Sequence, residues 1–321
     1  MSRNSRNHIR DKIKELRVKR KSASFFYPFF FSSFLFALFS LLCCSGCGPK
    51  YTYPADGVAK SVEDICRKEN QLTVKGLVNG KTLGAIIYVN DLTDVKGQVP
   101  KEIHEKMGQI MQAVTRVSLS TDLPLDFCTV VIRDRKHQNE LTVTRSLDDT
   151  KRANSEAIGM EESMNRTLFG QGRYPLGAKD ADTFVLKDVK LEDFLAEQIA
   201  QRIRFSFLKE DKETLDDTLD KEELANQQAF VFVDGFFEHV PGAGHFRFSV
   251  LSLKPTEARE TILSVFHVVN EVLKGYHFEN FKDIEMLDYV NRQKMLVDEK
   301  TLAQYQAKKI NDQYLLDHCM S

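Results

Sequence analysis

The sequence lacks the local motifs by which many enzymes and cofactor-binding proteins are recognised. It contains no GxSxG, HExxH or P-loop sequence, no GxGxxG, no EF-hand loop, and no cysteine–histidine spacing typical of zinc. Gly170-Gln171-Gly172 is a lone GxG without the helix pattern that phosphate binding requires, so we predict a loop there. We therefore expect no cofactor, and we assign no catalytic residue and no metal ligand.

Basic residues are in a minority over most of the chain. Residues 1–22 carry nine Lys and Arg against two acidic residues, so the overall charge of −1 leaves about −8 for the remainder. That sign excludes a nucleic-acid partner, which would need a basic face. The contents of 42% hydrophobic and 28% charged residues are typical of a globular protein and not of a disordered one.

Tryptophan is absent, whereas eight of the 23 phenylalanines lie between Phe25 and Phe39. They belong to the run FFYPFFFSSFLFALFSLLCCSGCGPK, residues 25–50, of which residues 25–44 carry no charge. About 20 apolar residues suffice to span a bilayer, whereas the apolar region of a secretory signal has roughly 7–15. The basic flank before the run predicts that residues 48–321 are exported, whether the run is a signal or a membrane span.

The end of this run, Ser45-Gly46 followed by Cys47, resembles the lipobox of bacterial lipoproteins. The resemblance covers residues 1–47 and departs from the family pattern at Cys44, where Leu or another aliphatic residue is usual. It implies cleavage before Cys47 and lipid attachment to that cysteine, which holds the protein to the membrane on the periplasmic face. Gly48 stands where an Asp would signal inner-membrane retention, so the outer membrane is expected. The alternatives are an uncleaved inner-membrane anchor and a buried hairpin of a soluble protein.

Two cysteines of the exported part fall on apolar faces. Cys66 lies with Val62 and Ile65 on one face of a predicted helix. Cys128 lies with Val130 and Ile132, at every second position, on one face of a predicted strand. Both are therefore expected in the core, where free cysteines behave as small hydrophobic residues. A Cys66–Cys128 disulfide is the alternative in an oxidising envelope.

Hydrophobic periodicity predicts an α+β fold, with antiparallel hairpins or sheets and helices packed on one face. The order α-ββ-α occurs over residues 62–117 and again over residues 191–273, which suggests two related units. The strongest hairpin signal is Asn79-Gly80. The predicted segments are helices 62–69, 100–117, 161–168, 191–208, 256–273 and 298–316, and strands 72–78, 82–90, 127–134, 140–145, 184–186, 229–237 and 245–253.

The same pattern predicts the domain organisation. The stretch GQGRYPLG, residues 170–177, is the clearest internal breaker, and we place a domain boundary there. The predicted parts are a signal peptide or anchor (1–47), a tether (48–56), one α+β domain (57–170), and a second α+β domain (177–321) that contains an acidic linker (209–224).

Few polar residues stand out as candidates for a site. His239 and His245 flank the VPGAG turn beside Glu238 and could bind a metal if they met across the hairpin, although an exposed polar hairpin end is the plainer interpretation. Arg202 and Arg204 are predicted on the solvent side of a helix.

Three functional hypotheses remain. The first is a non-enzymatic envelope lipoprotein that binds or scaffolds other envelope proteins. The second is an anchored hydrolase whose catalytic residues are dispersed along the chain. The third is a protein that binds a small ligand or a metal through residues 238–245.

Overall fold

The computed structural model describes residues 52–94, 97–174, 184–214, 231–241, 243–252 and 258–321, all within one compact unit, Thr52–Ser321. The apolar run 25–44, Cys47 as the predicted site of lipid attachment, and residues 215–224 of the acidic linker lie outside these residues. Part of the predicted tether lies inside them and is docked: the amides of Thr52 and Tyr53 donate to the carbonyl of Ser120 at 2.9 and 3.1 Å.

The first half of the unit builds a five-stranded sheet in the order β1-β2-β3-β4-β5. The β2–β3 pair is parallel, and the other neighbours are antiparallel. Gly80, with φ +53°, makes the tight turn of the first hairpin, as the Asn-Gly signal predicts. The elements are α1 (Val58–Asn70), β1 (Lys75–Asn79), β2 (Thr82–Val89), α2 (Lys101–Leu119), β3 (Phe127–Asp134), β4 (Asn139–Ser146), α3 (Leu147–Asn154), α4 (Met160–Asn165) and β5 (Leu168–Arg173).

The second half builds a four-stranded sheet, β6-β7-β8-β9, in which β7–β8 is the parallel pair. The three C-terminal residues extend this sheet at β9, because Leu296 donates to the carbonyl of Cys319 at 3.0 Å and Met295 bridges Met320. The elements are α5 (Leu191–Thr214), β6 (Val231–Val240), β7 (Ala243–Ser252), α6 (Ala258–Tyr276), β8 (Asp283–Asp288), β9 (Gln293–Asp298), α7 (Glu299–Gln306) and α8 (Asp312–His318).

The two halves repeat one plan, α-ββ-α-ββ-α-α, which is followed by strand β5 in the first half and by the bridging C-terminal residues in the second, and this confirms the predicted α+β class. Ser146 at the end of β4 and Asp298 at the end of β9 are equivalent, since each caps the helix that follows with its side chain. Besides the antiparallel hairpins that were predicted, each sheet contains one pair of parallel strands, β2–β3 in the first and β7–β8 in the second. A helical crossover, α2 or α6, is what makes a parallel pair possible between two hairpins.

Each sheet has its own core on the face covered by its own helices. In the first sheet, alternate residues of β2, β3 and β4 pack against α1 and α2. In the second sheet, the equivalent face packs against α5 and α6. Strand β3 is buried along its whole length, because α5 and the residues before it also cover the other face of the first sheet. We call this face of each sheet, opposite its own helices, the outer face.

Two predictions about local structure are corrected, and two features of the fold were not predicted. The GxG at Gly170–Gly172 is not a loop, since it lies in β5, and residues 184–186 do not form a strand. The pair β8 and β9 was not predicted, although Ile284 and Met286 alternate with more polar residues. Helix α3 was not predicted either, since its eight residues, LDDTKRAN, are mostly polar.

Candidate functional site

A cavity of about 360 Å³ lies between the outer face of the first sheet and the chain segment that leads into α5. That volume is within the range of small-molecule sites, roughly 300–1,000 Å³. We call residues 184–190 the strap and this space the strap cavity. Strands β3, β4 and β5 form its floor, and the strap with the first turns of α5 forms its roof.

The floor is concave because small side chains follow one another across the strands. In one row Thr129 of β3 pairs with Thr144 of β4, and in the next row Thr142 pairs with Gly170 of β5. The hydroxyls of Thr129 and Thr144 are 3.1 Å apart, and these residues are only 4% and 5% exposed. Each hydroxyl is the hydrogen-bond partner of the other, so burying these two polar groups costs little free energy.

The strap is fixed over this floor by backbone and side-chain hydrogen bonds. Asn79 donates to the carbonyl of Leu186 at 2.7 Å, and the amide of Val189 donates to the hydroxyl of Thr82 at 2.9 Å. The side chain of Leu186 lies so close to Gly84 that a Cβ there would be 2.8 Å from it. Glycine at position 84 is therefore what lets the strap lie against the sheet.

At one end of the floor, Arg133 is enclosed between two aromatic rings. Its guanidinium carbon lies 4.6 Å from the ring centres of both Tyr174 and Phe184, a cation–π arrangement on each side. Its Nε donates to Glu140 at 2.5 Å. Arg133 is 7% exposed, and its Nη1 has no hydrogen-bond partner among the described residues. Arg133 thus contacts both Tyr174 and Phe184, the described residues on either side of residues 175–183, which lie outside the part of the chain that the structure describes.

A buried network of polar side chains joins helices α5 and α6 of the second half to helices α3 and α4 of the first half. Arg166 of α4's C-terminal end donates to Asp149 of α3 at 2.8 Å, and the Tyr276 hydroxyl at the end of α6 also donates to Asp149. Gln198 of α5 donates to the Arg166 carbonyl at 2.9 Å and to Tyr276 at 3.1 Å. Burial and the Asp149 carboxylate raise the pKa of Tyr276, so it stays a neutral donor.

Arg202 belongs to the same interface, so its predicted place on the solvent side is wrong. Its side chain is 11% exposed and donates to Glu162 at 3.0 Å and to Glu271 at 3.1 Å. Burial alone would raise the pKa of Glu162, but its bonds to Arg166 and Arg202 lower it below the ordinary value. Arg204 is exposed as predicted, and it donates to the carbonyl of Val233 at 3.0 Å.

The outer face of the second sheet differs from that of the first, because no described residue covers it. Phe232 and Phe236 on β6 are 72% and 51% exposed, and Leu251 and Leu296 on β7 and β9 are also exposed. Arg247 lies among them and pairs with Asp283 at 2.8 Å. We call this surface the open face. Exposed apolar side chains rimmed by charges are typical of protein interaction sites.

The two predicted core cysteines are buried free thiols. Cys128 contacts the hydroxyl of Ser118 at 3.2 Å, and Cys66 packs between α1 and the first sheet. Burial raises the pKa of each thiol to about 11. A thiolate is the reactive form of cysteine, so neither residue is suited to be a nucleophile at neutral pH.

His239 and His245 do not meet. They alternate in direction along the β6–β7 hairpin, and each has its own acidic partner: Asp193 at 3.0 Å for His239 and Asp283 at 2.8 Å for His245. Within the described ranges, no group of three or more His, Cys, Asp or Glu side chains is placed to hold a metal ion. The hairpin turn is also shorter than predicted, since Val240 and Ala243 are already in the strands.

Comparisons with protein-family models, with curated proteins and with solved structures find no match to this chain. Among the helices of residues 52–321 that the structure describes, none has both the length and the apolar character needed to cross a membrane. The predicted run 25–44 and Cys47 lie outside that part of the chain.

Proposed function

We propose that this chain is a lipid-anchored, non-enzymatic protein of the cell envelope that holds a small ligand in the strap cavity. The observation that carries the ligand-binding part is the cavity itself: about 360 Å³ between a hydroxyl-bearing floor and a mostly apolar roof, which hydrogen bonds hold at Leu186 and Val189. Enclosed, mostly apolar spaces with a few placed polar groups are where small molecules bind.

The cavity favours binding over hydrolysis. Among the described residues that line it, there is no Ser, His or Cys, the hydroxyls of Thr129 and Thr144 bond each other, and no hydrogen bond joins the Thr142 hydroxyl to a described base. Its two carboxylates, Glu140 and Glu197, are each paired with a basic side chain, Arg133 at 2.5 Å and Lys187 at 2.9 Å. A hydrolase would need catalytic groups elsewhere in the chain.

Filling the cavity tests the proposal. Gly170 lies in its floor, and a Cβ at this position would meet Thr142 only at an ordinary contact distance of 3.7 Å. We expect purified residues 48–321 to give a saturable fluorescence rise with the neutral apolar dye N-phenyl-1-naphthylamine, and Gly170→Leu to abolish it. The matched control is Gly108→Leu, at an exposed glycine of α2 on the opposite face of the first sheet, with nothing within 4 Å of its Cβ position. Equal dye binding by Gly170→Leu and wild type would reject the cavity as the site.

The anchor is proposed from the sequence alone, through the lipobox-like Ser45-Gly46-Cys47. The expected location is the periplasmic face of the outer membrane, with the inner-membrane anchor as the alternative. We expect labelled palmitate to be incorporated by the full chain and by Cys44→Ala, and to be lost in Cys47→Ala. Incorporation that survives Cys47→Ala would reject lipid attachment at that residue.

A second candidate function, the scaffolding of other envelope proteins, is supported by the open face. A photo-crosslinking residue at Phe236 should give a discrete adduct in cells that express the chain, whereas the same residue at the exposed Lys60 of α1 should not. Equal products from both positions would indicate random collisions and would remove the support for this function.

A further inference from the structure

The charges that line the strap cavity cancel in pairs. Glu140 pairs with Arg133 at 2.5 Å, and Glu197 of α5 pairs with Lys187 of the strap at 2.9 Å. Glu140, Lys187 and Glu197 are the ionisable side chains among the described residues that line the cavity, and Arg133 is counted with them as the partner of Glu140. The cavity therefore carries no net charge, and a ligand with an ionised group would bring an uncompensated charge into it.

An anionic group could not use Arg133 as a counter-ion from inside the cavity. Arg133 itself does not line the space, whereas Glu140 does, and the Nη1 of Arg133 that has no partner among the described residues is buried. A carboxylate in the cavity would thus lie near the Glu140 carboxylate without a free counter-ion, because the lining Lys187 is already paired with Glu197. Two like charges at short range disfavour each other's ionised form.

The polar groups that do face the cavity suit a hydroxyl. Arg133 occupies Oε2 of Glu140, and no described residue donates a hydrogen bond to Oε1, which is left as an acceptor. The hydroxyl of Thr142, two residues along the same face of β4, can both donate and accept. A ligand hydroxyl can donate to Glu140 and accept from Thr142. The rest of its body would contact Leu168, Leu186 and Phe194.

We propose that the strap cavity selects an uncharged amphiphile with an apolar body and a hydroxyl head group, which rests on the ligand-binding function proposed above. The test compares three ligands with the same ten-carbon chain: 1-decanol, decanoate and decylammonium. Each competes with N-phenyl-1-naphthylamine for purified residues 48–321 at pH 7. We expect decanol to displace the dye, and each ionised ligand to be weaker by about tenfold or more, because an unpaired charge is costly to bury.

Two variants separate recognition from folding. Glu140→Gln keeps an oxygen for Arg133 but removes the negative charge, so the affinity for decanoate should rise by about tenfold and that for decanol should fall. Thr142→Val keeps the shape of the floor without its hydroxyl, so decanol should weaken by about threefold to tenfold while decanoate is unchanged. Gly170→Leu should exclude all three ligands, and Gly108→Leu should behave as wild type.

The outcomes distinguish the two proposals. If neither the dye nor any of the three ligands binds to the wild type, the ligand-binding function itself is overturned. If all three ligands bind equally, or if decanoate binds most tightly to the wild type, the cavity is a binding site but the head-group inference is wrong. The inference would also be overturned if Glu140→Gln melts cooperatively but binds the three ligands in the same order of affinity as the wild type.

Discussion

Gly76 of β1 and Gly235 of β6 occupy equivalent positions in the two sheets, each pressed against the backbone of the helix that precedes it. A Cβ at Gly76 would lie 2.2 Å from the carbonyl oxygen of Ala59, and one at Gly235 would lie 2.9 Å from that of Ala196. The repeated plan thus depends on the same local device in both halves: a glycine that allows close helix–strand packing.

We expect both Gly76→Ala and Gly235→Ala to destabilise the protein, by about 1–3 kcal/mol, because the helix must move away from the sheet. The effect should be greater at Gly76, where the clash is with backbone at the shorter distance. Denaturant unfolding of residues 48–321 gives the free energies. Gly172→Ala, which adds a Cβ to open space, is the control and should change stability little. A neutral effect at Gly76 would contradict the close approach.

The fold class and most elements of the first half could be predicted because their signals are local. Asn79-Gly80 fixes one hairpin, and the apolar stripe of α2 gives that helix nearly its full length. Strand β5 could not be predicted in the same way. Its residues LFGQGR are mostly exposed and carry two glycines, so the hydrogen bonds to β4, rather than periodicity, make it a strand.

The strap cavity could not be predicted from the sequence, because its parts are distant along the chain. Asn79 and Leu186 are 107 residues apart, and nothing in the local pattern of either indicates the contact. In the sequence pattern the three threonines of the floor look like ordinary strand residues, because nothing near them indicates the strap and α5 that cover them. Arg202 was assigned to solvent since its helix has a clear apolar face, but its partners come from α4 and α6.

The hairpin between β3 and β4 provides a test of pH dependence at Asp134. This fully buried carboxylate accepts hydrogen bonds from the amides of Leu92, Lys136 and His137 and from the His137 ring. Burial raises its pKa, but these bonds outweigh that effect and lower the pKa below 3.8. The stabilisation is therefore present above pH 3.8 and is lost as the pH falls through the lower folded-state pKa.

Asp134→Asn should accordingly reduce stability at pH 7 by about 1–3 kcal/mol, since an amide has one acceptor oxygen where the carboxylate has two. The difference from wild type should be unchanged at pH 6 and should narrow as the pH falls below 3.8. Urea unfolding of both proteins at several pH values measures this difference in the free energy of unfolding. A difference that stayed constant down to acid pH would show that the charge of Asp134 contributes nothing.

The network between the two halves should depend on the Tyr276 hydroxyl. Its removal in Tyr276→Phe leaves one oxygen of Asp149 and one donor bond of Gln198 without a partner. We expect a loss of about 1–3 kcal/mol in the free energy of unfolding. Tyr289→Phe, at an exposed tyrosine in the β8–β9 turn, is the matched control and should be neutral. Equal stability of both variants would mean that the network adds nothing to the docking of the halves.

Thiol labelling tests the state of the buried cysteines. Residues 48–321 contain Cys66, Cys128 and Cys319, and burial raises the pKa of the first two to about 11. Because the thiolate is the reacting form, we expect Cys66 and Cys128 to resist an aromatic disulfide reagent at pH 8 in the native protein, and all three cysteines to react at once in denaturant. The sample should be protein isolated without reductant from the cells that express it. Only one reactive thiol after denaturation would show that two of the three cysteines form a disulfide, and peptide mapping would show whether the pair is Cys66–Cys128, which would require the two thiols to approach across the core of the first sheet.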